Sequence, residues 1–207
     1  RISEYKRKGA NNTLTPSFTF IKSSNENLIV PNPIGIVKKK GDPDIININH
    51  KRMGDKYIQS LSQGLTLATH VSELSLSQNR LTDVSVKMLF DVINSNINIC
   101  KRLLSLNLGY NKIGPSAIDS LCNYIDNIDC NLEHLDLEAN CLGNRLVNLV
   151  LSKINDKIAS QMKYLNFAQN NLNDDVAPEF AITSRKCERL QVLILYHNHF
   201  KNFGMSL

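Results

Sequence analysis

VSELSLSQNRL at 71–81, LLSLNLGYNKI at 103–113 and LEHLDLEANCL at 132–142 share one pattern of three spaced apolar residues, an Asn and a further apolar residue. MKYLNFAQNNL at 162–172 and LQVLILYHNHF at 190–200 repeat it. The shared Asn falls at Asn79, Asn111, Asn140, Asn170 and Asn198, at intervals of 32, 29, 30 and 28 residues. That period holds one strand, one turn and a returning helix, so the chain is expected to stack repeats into a solenoid. A weaker copy, DIININHKRMGDKY at 44–57, aligns Ile46, Ile48 and Met53 with the apolar positions but has Lys51 where the Asn should stand. It is expected to be an atypical first unit, because an end repeat packs against one neighbour only.

These copies match L-x-x-L-x-L-x-x-N-x-L, and the chain resembles the leucine-rich-repeat family over residues 44–207. The interval length, with phrases such as Lys112-Ile113-Gly114-Pro115-Ser116-Ala117, is similar to the longer ribonuclease-inhibitor-type repeats. The resemblance implies an α/β fold: a right-handed leucine-rich-repeat solenoid of about six units, with a concave parallel sheet and outer helices. The type name denotes an architecture and no ribonuclease-inhibiting activity.

Elementary geometry points the same way. Side chains of a strand alternate between faces, so Leu74/Leu76, Leu106/Leu108, Leu135/Leu137, Leu165/Phe167 and Leu193/Leu195 must all enter the core. Val86, Leu89, Phe90 and Ile93 have the spacing of a buried helical stripe. So do Ala117, Ile118, Leu121 and Ile125, and Leu146, Leu149, Val150 and Ile154. Thr82 and Asn173 are expected to begin helices by accepting hydrogen bonds from free N–H groups. The recurring Asn is expected to form a ladder that satisfies backbone groups in the turns.

The alternate strand positions face outward from the core and form the candidate binding surface. One row runs Glu73, Ser105, His134, Tyr164 and Val192. The next runs Asn47, Ser75, Asn107, Asp136, Asn166 and Ile194, and a third Ser77, Gly109, Glu138, Ala168 and Tyr196. Tyr164, Val192, Ile194 and Tyr196 are expected to form an apolar anchor, with His134, Asp136 and Glu138 supplying polar selectivity. Glu73, Asn107 and Asn166 complete the candidate set. The competing reading packs Val192, Ile194 and Tyr196 beneath a terminal cap. Only a short stretch follows Asn198, and further chain is expected beyond it.

Residues 1–43 depart from the pattern and read as a basic, Asn- and Pro-containing extension or partial cap. Residues 1–44 carry eight basic and four acidic side chains, while residues 45–207 carry sixteen and fifteen, within a total net charge of +5. No basic stripe is therefore expected along the repeats, which argues against nucleic acid as the partner. Lys6-Arg7-Lys8 and Lys38-Lys39-Lys40 are short and read as solvated charge.

No apolar run reaches the roughly 18–20 residues that span a bilayer, and no signal-peptide-like segment stands near the start. The sequence begins at Arg1 rather than Met, which leaves room for an upstream segment. Five cysteines, at 100, 122, 130, 141 and 187, form no ligand cluster and leave an odd count, as expected of reduced thiols in an intracellular, cytoplasmic protein. No phosphate loop, HExxH zinc motif or dinucleotide fingerprint is present. His197 and His199 flank Asn198 without a third ligand, and Asp136 and Glu138 suggest no reaction. The expectation is a monomeric, non-enzymatic scaffold that binds an unidentified protein and needs no cofactor or metal. The alternative, by analogy with long-repeat regulators, is control of a small GTPase or of actin assembly, with Arg80 as the residue that could meet phosphate charge.

Overall fold

The computed structural model describes residues 14–31, Ile36 and residues 44–201. Lys6-Arg7-Lys8, Lys38-Lys39-Lys40 and the residues after Lys201 lie outside that set.

Each apolar triplet forms a three-residue strand: β1 Ile45–Asn47, β2 Glu73–Ser75, β3 Ser105–Asn107, β4 His134–Asp136, β5 Tyr164–Asn166 and β6 Val192–Ile194. They make one parallel sheet in chain order. Its register is unbroken, so Ile46, Leu74, Leu106, Leu135, Leu165 and Leu193 lie directly side by side. All six point into the core, with Leu193 only partly buried.

Outer helices return the chain from each strand to the next: α2 Asp55–Leu65, α3 Asp83–Ser95 followed by α4 Ile97–Arg102, α5 Pro115–Ile125, α6 Gly143–Ser152 followed by α7 Asp156–Ala159, and α8 Ala177–Lys186 after a 3₁₀ turn at Asp174–Val176. Neighbouring strands sit about 4.8 Å apart, whereas packed helices need about 8–10 Å. The stack therefore curves with its sheet on the inner, concave side. One apolar core runs through every layer, from Phe20 and Ile46 to Phe180 and Cys187.

The Asn ladder holds the turns. Asn79, Asn111, Asn140 and Asn170 are buried. Each sends its amide to carbonyls of its own turn, and Asn111, for example, bonds Leu108 and Gly109 at 2.9 and 3.1 Å and Leu76 of the preceding repeat at 3.1 Å. Its oxygen accepts the N–H groups of Asn79 and Leu81, at 3.0 and 3.1 Å. Every rung thus ties two repeats together. In the first repeat Lys51 stands at the rung position, and the Asn79 amide of the next repeat bonds the Ile48 carbonyl at 2.9 Å. Residues beside the rungs take left-handed backbone, including Gln78, Arg80, Tyr110, Ala139, Cys141, Gln169, Asn171 and His197, with φ between 53° and 59°.

Two expectations are corrected. Thr82 stands at the N-cap of α3 but makes no side-chain cap there; its hydroxyl instead donates to Asp55 at 2.7 Å. Asp55 also accepts the Thr82 N–H at 2.9 Å and the Ser85 hydroxyl at 2.5 Å. Burial pushes the Asp55 carboxyl up, but the hydrogen bonds from Ser85 and Thr82 outweigh it and hold its pKa below the ordinary value. On α6 the buried face is Val147, Val150 and Leu151, while Leu146 and Leu149 are only partly covered. Helix α6 begins at the left-handed Gly143, separated from the left-handed Cys141 by the right-handed Leu142, and its buried stripe lies one residue further along than expected. The Asn-rich stretch at 94–98 runs from the end of α3 into α4. Asn96 caps α4, accepting from Asn98 and Ile99 at 3.1 and 3.4 Å, and donates back to the carbonyls of Leu65 and Ala68 at 2.9 Å. Helix α4 accounts for the longer 32-residue interval.

Before the repeats, helix α1 (Pro16–Glu26) begins at Thr15, whose hydroxyl accepts the Phe18 N–H at 3.1 Å, with Pro16 in the first turn. It lies against α2, where the Phe20 and Tyr57 rings meet edge to face at 5.5 Å and Asn27 donates to Ser60 at 2.8 Å. Gly64 permits the approach: a Cβ there would come within 2.9 Å of the Ile36 side chain and 3.0 Å of the Pro16 carbonyl oxygen. Gly64→Val is therefore expected to undock α1 at a cost of about 1–3 kcal/mol. Hydrogen exchange should show the amides of 16–26 losing protection while those of β3 and β4 keep theirs. Unchanged protection at 16–26 would show that the contact is not what holds α1.

Candidate functional site

The inner surface carries the side chains that alternate with the core leucines, and in-register strands set repeat next to repeat across it. Most of these side chains are short and polar. They fold onto their neighbours instead of standing free.

At the ends of β1, β3, β4 and β5 a carboxamide or carboxylate accepts the N–H two residues on. Asn107 accepts from Gly109 at 2.9 Å, Asp136 from Glu138 at 3.0 Å and Asn166 from Ala168 at 3.0 Å. The same groups link sideways, because Asn107 and Asn166 both donate to the other Asp136 oxygen, at 3.4 and 3.2 Å. Gly109 leaves space beside this row: a Cβ there would lie 3.1 Å from Asp136 Oδ1.

Glu138 is the hub. One of its oxygens accepts the hydroxyls of Tyr110 and Tyr196, at 2.6 and 2.9 Å, and the Gln169 amide at 2.9 Å. The other accepts Asn166 at 3.0 Å. Tyrosines from two repeats thus converge on one carboxylate in the repeat between them and cross the sheet from either side.

The electrostatics divide the two carboxyls. Burial pushes Glu138 up, but the hydrogen bonds from Tyr110, Asn166, Tyr196 and Gln169 outweigh it and hold the pKa below its ordinary 4.5. For Asp136 burial dominates and the pKa is raised. The Tyr196 hydroxyl, bound to the Glu138 carboxylate and partly desolvated, is pushed up to about 12. Opposite pH signs follow. Glu138 stabilises the fold above its unfolded pKa, and this contribution is lost as pH falls through the lower folded value. Asp136 stabilises the fold below its unfolded pKa, and its contribution is lost as pH rises through the higher folded value.

Combining Tyr110→Phe with Tyr196→Phe is expected to cost about 1–2 kcal/mol at neutral pH, a modest figure because both tyrosines are about half exposed and water replaces part of the loss. The deficit should shrink once Glu138 is protonated. Urea midpoints taken in steps from about pH 7 down into the acid range check this; a deficit that never shrinks as the carboxylate is protonated would show that the loss is of packing, not of hydrogen bonds to a carboxylate.

The candidate residues all lie on or beside this sheet, but they differ in access. Glu73, Asn107, His134, Asp136, Tyr164 and Ile194 are half-buried. Val192 and Tyr196 are 39% and 51% exposed, whereas Glu138 and Asn166 are only 7% and 2% exposed. These last two support the surface from beneath. The rings of His134 and Tyr164 lie 6.2 Å apart. The row formed by Gln78, Tyr110, Ala139, Gln169 and His197 was not singled out from the sequence, although the position immediately before each ladder Asn marks it. Two of its members, Tyr110 and Gln169, build the Glu138 hub.

An open apolar cleft of about 770 Å³ lies at the β6 end, lined in part by Phe180, Leu193, Leu195, Tyr196 and Phe200. Among the described residues no group of three or more His, Cys, Asp or Glu side chains could hold a metal ion. No described helix is long and apolar enough to cross a membrane.

The family model described as Leucine Rich repeat matches residues 68–90 and 100–122, two successive units of the stack. The chain carries a leucine-rich-repeat region. A 93-residue stretch is 32% identical to the NACHT, LRR and PYD domains-containing protein 3 of Bos taurus, which amounts to 44% of this chain and 9% of that protein. Among solved structures, Leiomodin-1 Actin-Binding Site 2 (ABS2) matches with a TM-score of 0.59 over 87% of this chain and 90% of that one, at 13% identity. This is a likeness of leucine-rich-repeat fold.

Proposed function

We propose that the leucine-rich-repeat sheet is a protein-binding surface, and that the chain acts as a non-enzymatic interaction module or scaffold. The observation that carries this reading is the Glu138 hub. It fixes Tyr110 and Tyr196 in place before any partner arrives, so less side-chain entropy is lost on binding. Tyrosines with a held hydroxyl and an exposed ring suit an interface, and Val192 and Ile194 extend the apolar ground beside Tyr196. The intervals of 28–32 residues and the helical outer segments support the longer, ribonuclease-inhibitor-type class of repeat. In this reading residues 44–207 form the repeat domain, and α1 within residues 1–43 acts as its partial cap. The four buried free thiols, Cys100, Cys122, Cys130 and Cys187, support a reducing, intracellular setting.

The test places a benzophenone amino acid at Val192 on the inner face or at Ile182 on the outer helix α8, both exposed. Cross-linking in cells should give a discrete protein adduct from position 192, lost in Tyr164→Ala/Tyr196→Ala, and none from position 182. Adducts from 182 alone would move the function to the helical side.

The alternative of actin or small-GTPase regulation draws on likeness of fold, including that to a structure titled an actin-binding site. Arg80 sits at a left-handed turn position that recurs at Arg52, Cys141 and Asn171. Its backbone is thus set by the repeat and not by a dedicated loop. Co-pelleting with actin filaments is the direct check, and this reading requires it.

A further inference from the structure

The inner face is short of positive charge in a chain that has an excess of it. Across the three outward rows the charged side chains are Glu73, Asp136 and Glu138, with neither Lys nor Arg among them, although the chain as a whole carries +5. Lys163, immediately before β5, is committed to Glu133 at 2.6 Å. Among the described residues no Lys or Arg pairs with Asp136 or Glu138. Their hydrogen-bond partners are amides, tyrosines and a backbone N–H. Burial raises the Asp136 pKa, as expected of a carboxylate that lacks a counter-ion. Tyr164 borders Asp136, with Tyr110 and Tyr196 around Glu138.

We propose that this sheet face receives an extended, arginine-bearing segment of a partner protein, with a guanidinium lodged against Asp136 and the neighbouring tyrosine rings. The proposal rests on the interaction reading above and names its partner's chemistry. Arginine fits better than lysine because its planar fork can bond a carboxylate while its face stacks on an aromatic ring. Five strand spacings of about 4.8 Å give the face a length of roughly 24 Å, room for about seven extended residues. A nucleic acid backbone would meet like charge here, so the same face disfavours it.

The probe is a fluorescent, end-blocked peptide alternating arginine and serine, compared with lysine and glutamate versions by anisotropy. The arginine peptide is expected to bind at least about tenfold more tightly than the glutamate one, and to weaken severalfold between about 50 and about 200 mM salt. Asp136→Asn should cut the affinity about tenfold. Because that change also disturbs the Asn107 and Asn166 bonds, Ser105→Lys provides a second variant: it adds a cation between Glu73 and His134 and should weaken binding similarly. Asp91→Asn, on the outer face of α3, should leave binding unchanged.

Equal losses from Asp91→Asn and Asp136→Asn, or no arginine preference, would overturn the proposal. Sedimentation showing that the chain instead pairs with itself, in a manner blocked by Ser105→Lys, would assign the face to a second copy and overturn it too. If the peptide fails while position 192 still cross-links a protein, the cationic partner is wrong and the interaction surface stands.

Discussion

Asn111→Ala is expected to destabilise the protein by about 3–5 kcal/mol. The side chain is buried and makes five hydrogen bonds at 2.9–3.1 Å, two as acceptor and three as donor. Alanine leaves the N–H groups of Asn79 and Leu81 buried and unpaired, and each such group costs about 1–3 kcal/mol. Water cannot enter to replace the amide without opening the contact between the two repeats. The end rung provides the contrast. Asn198 also accepts two N–H groups, from Asn170 and Leu172 at 2.9 and 3.0 Å, but it is only half-buried. Asn198→Ala should therefore cost about 1–2 kcal/mol. Asn111→Asp keeps the acceptor but aims a carboxylate at three carbonyl oxygens, so it should destabilise more at neutral than at acidic pH. Urea titrations of the three variants check the ordering. An Asn111→Ala loss below about 1 kcal/mol, or one no larger than that of Asn198→Ala, would remove the ladder from the list of stabilising features.

This ladder was legible because one residue type recurs at one place in every turn. The core leucines were legible for the same reason, and all but the last pair, Leu193 and Leu195, are fully covered. A second inter-repeat chain was not legible. Asp55 holds Thr82 and Ser85, Asp83 holds the Gly114 N–H together with Ser116 at 2.8 Å, and Asn144 pairs with Asn173. The geometry recurs at the starts of α2, α3 and α6 but the residue types change, so comparing letters misses it. Thr82 shows the consequence: its local pattern reads as a cap, yet its hydroxyl satisfies an aspartate in the previous repeat.

The inner face was legible as rows and not as a surface. Strand alternation correctly separates residues that face the core from those that do not, but it says nothing of what the latter do next. Asn166 is turned away from the core and is nonetheless buried, because strands in register bring Asp136 and Glu138 within reach of its amide. Tyr110 lies outside the strand, so period-two reasoning passes over it. Only the left-handed turn and the 28-residue step to Glu138 bring its hydroxyl over the sheet.

Phe167→Ala should cost about 3–5 kcal/mol and unfold the chain unevenly. Phe167 occupies the second core position of its repeat, where the neighbouring repeats have Leu137 and Leu195, and it is fully buried. Its ring meets Phe180 of α8 at 5.6 Å, nearly edge on, so the strand side and the helix of the fifth repeat are locked through this pair. Phe167→Leu retains most of the volume and should cost less than about 1.5 kcal/mol. On the β6 side the stack has little in reserve, since Leu193 and Leu195 are only partly buried. In a solenoid each repeat is stabilised by its immediate neighbours, so a cavity here weakens the end while the interior retains its own contacts. Hydrogen exchange should show the amides of 164–194 losing protection first, while those of 73–107 stay close to wild type. If all six strands lost protection by the same free energy, the repeats would be unfolding as one unit, and the stacking picture would fail. If the loss stayed below about 1 kcal/mol, the Phe167–Phe180 contact would not be what holds α8 against the sheet of its own repeat.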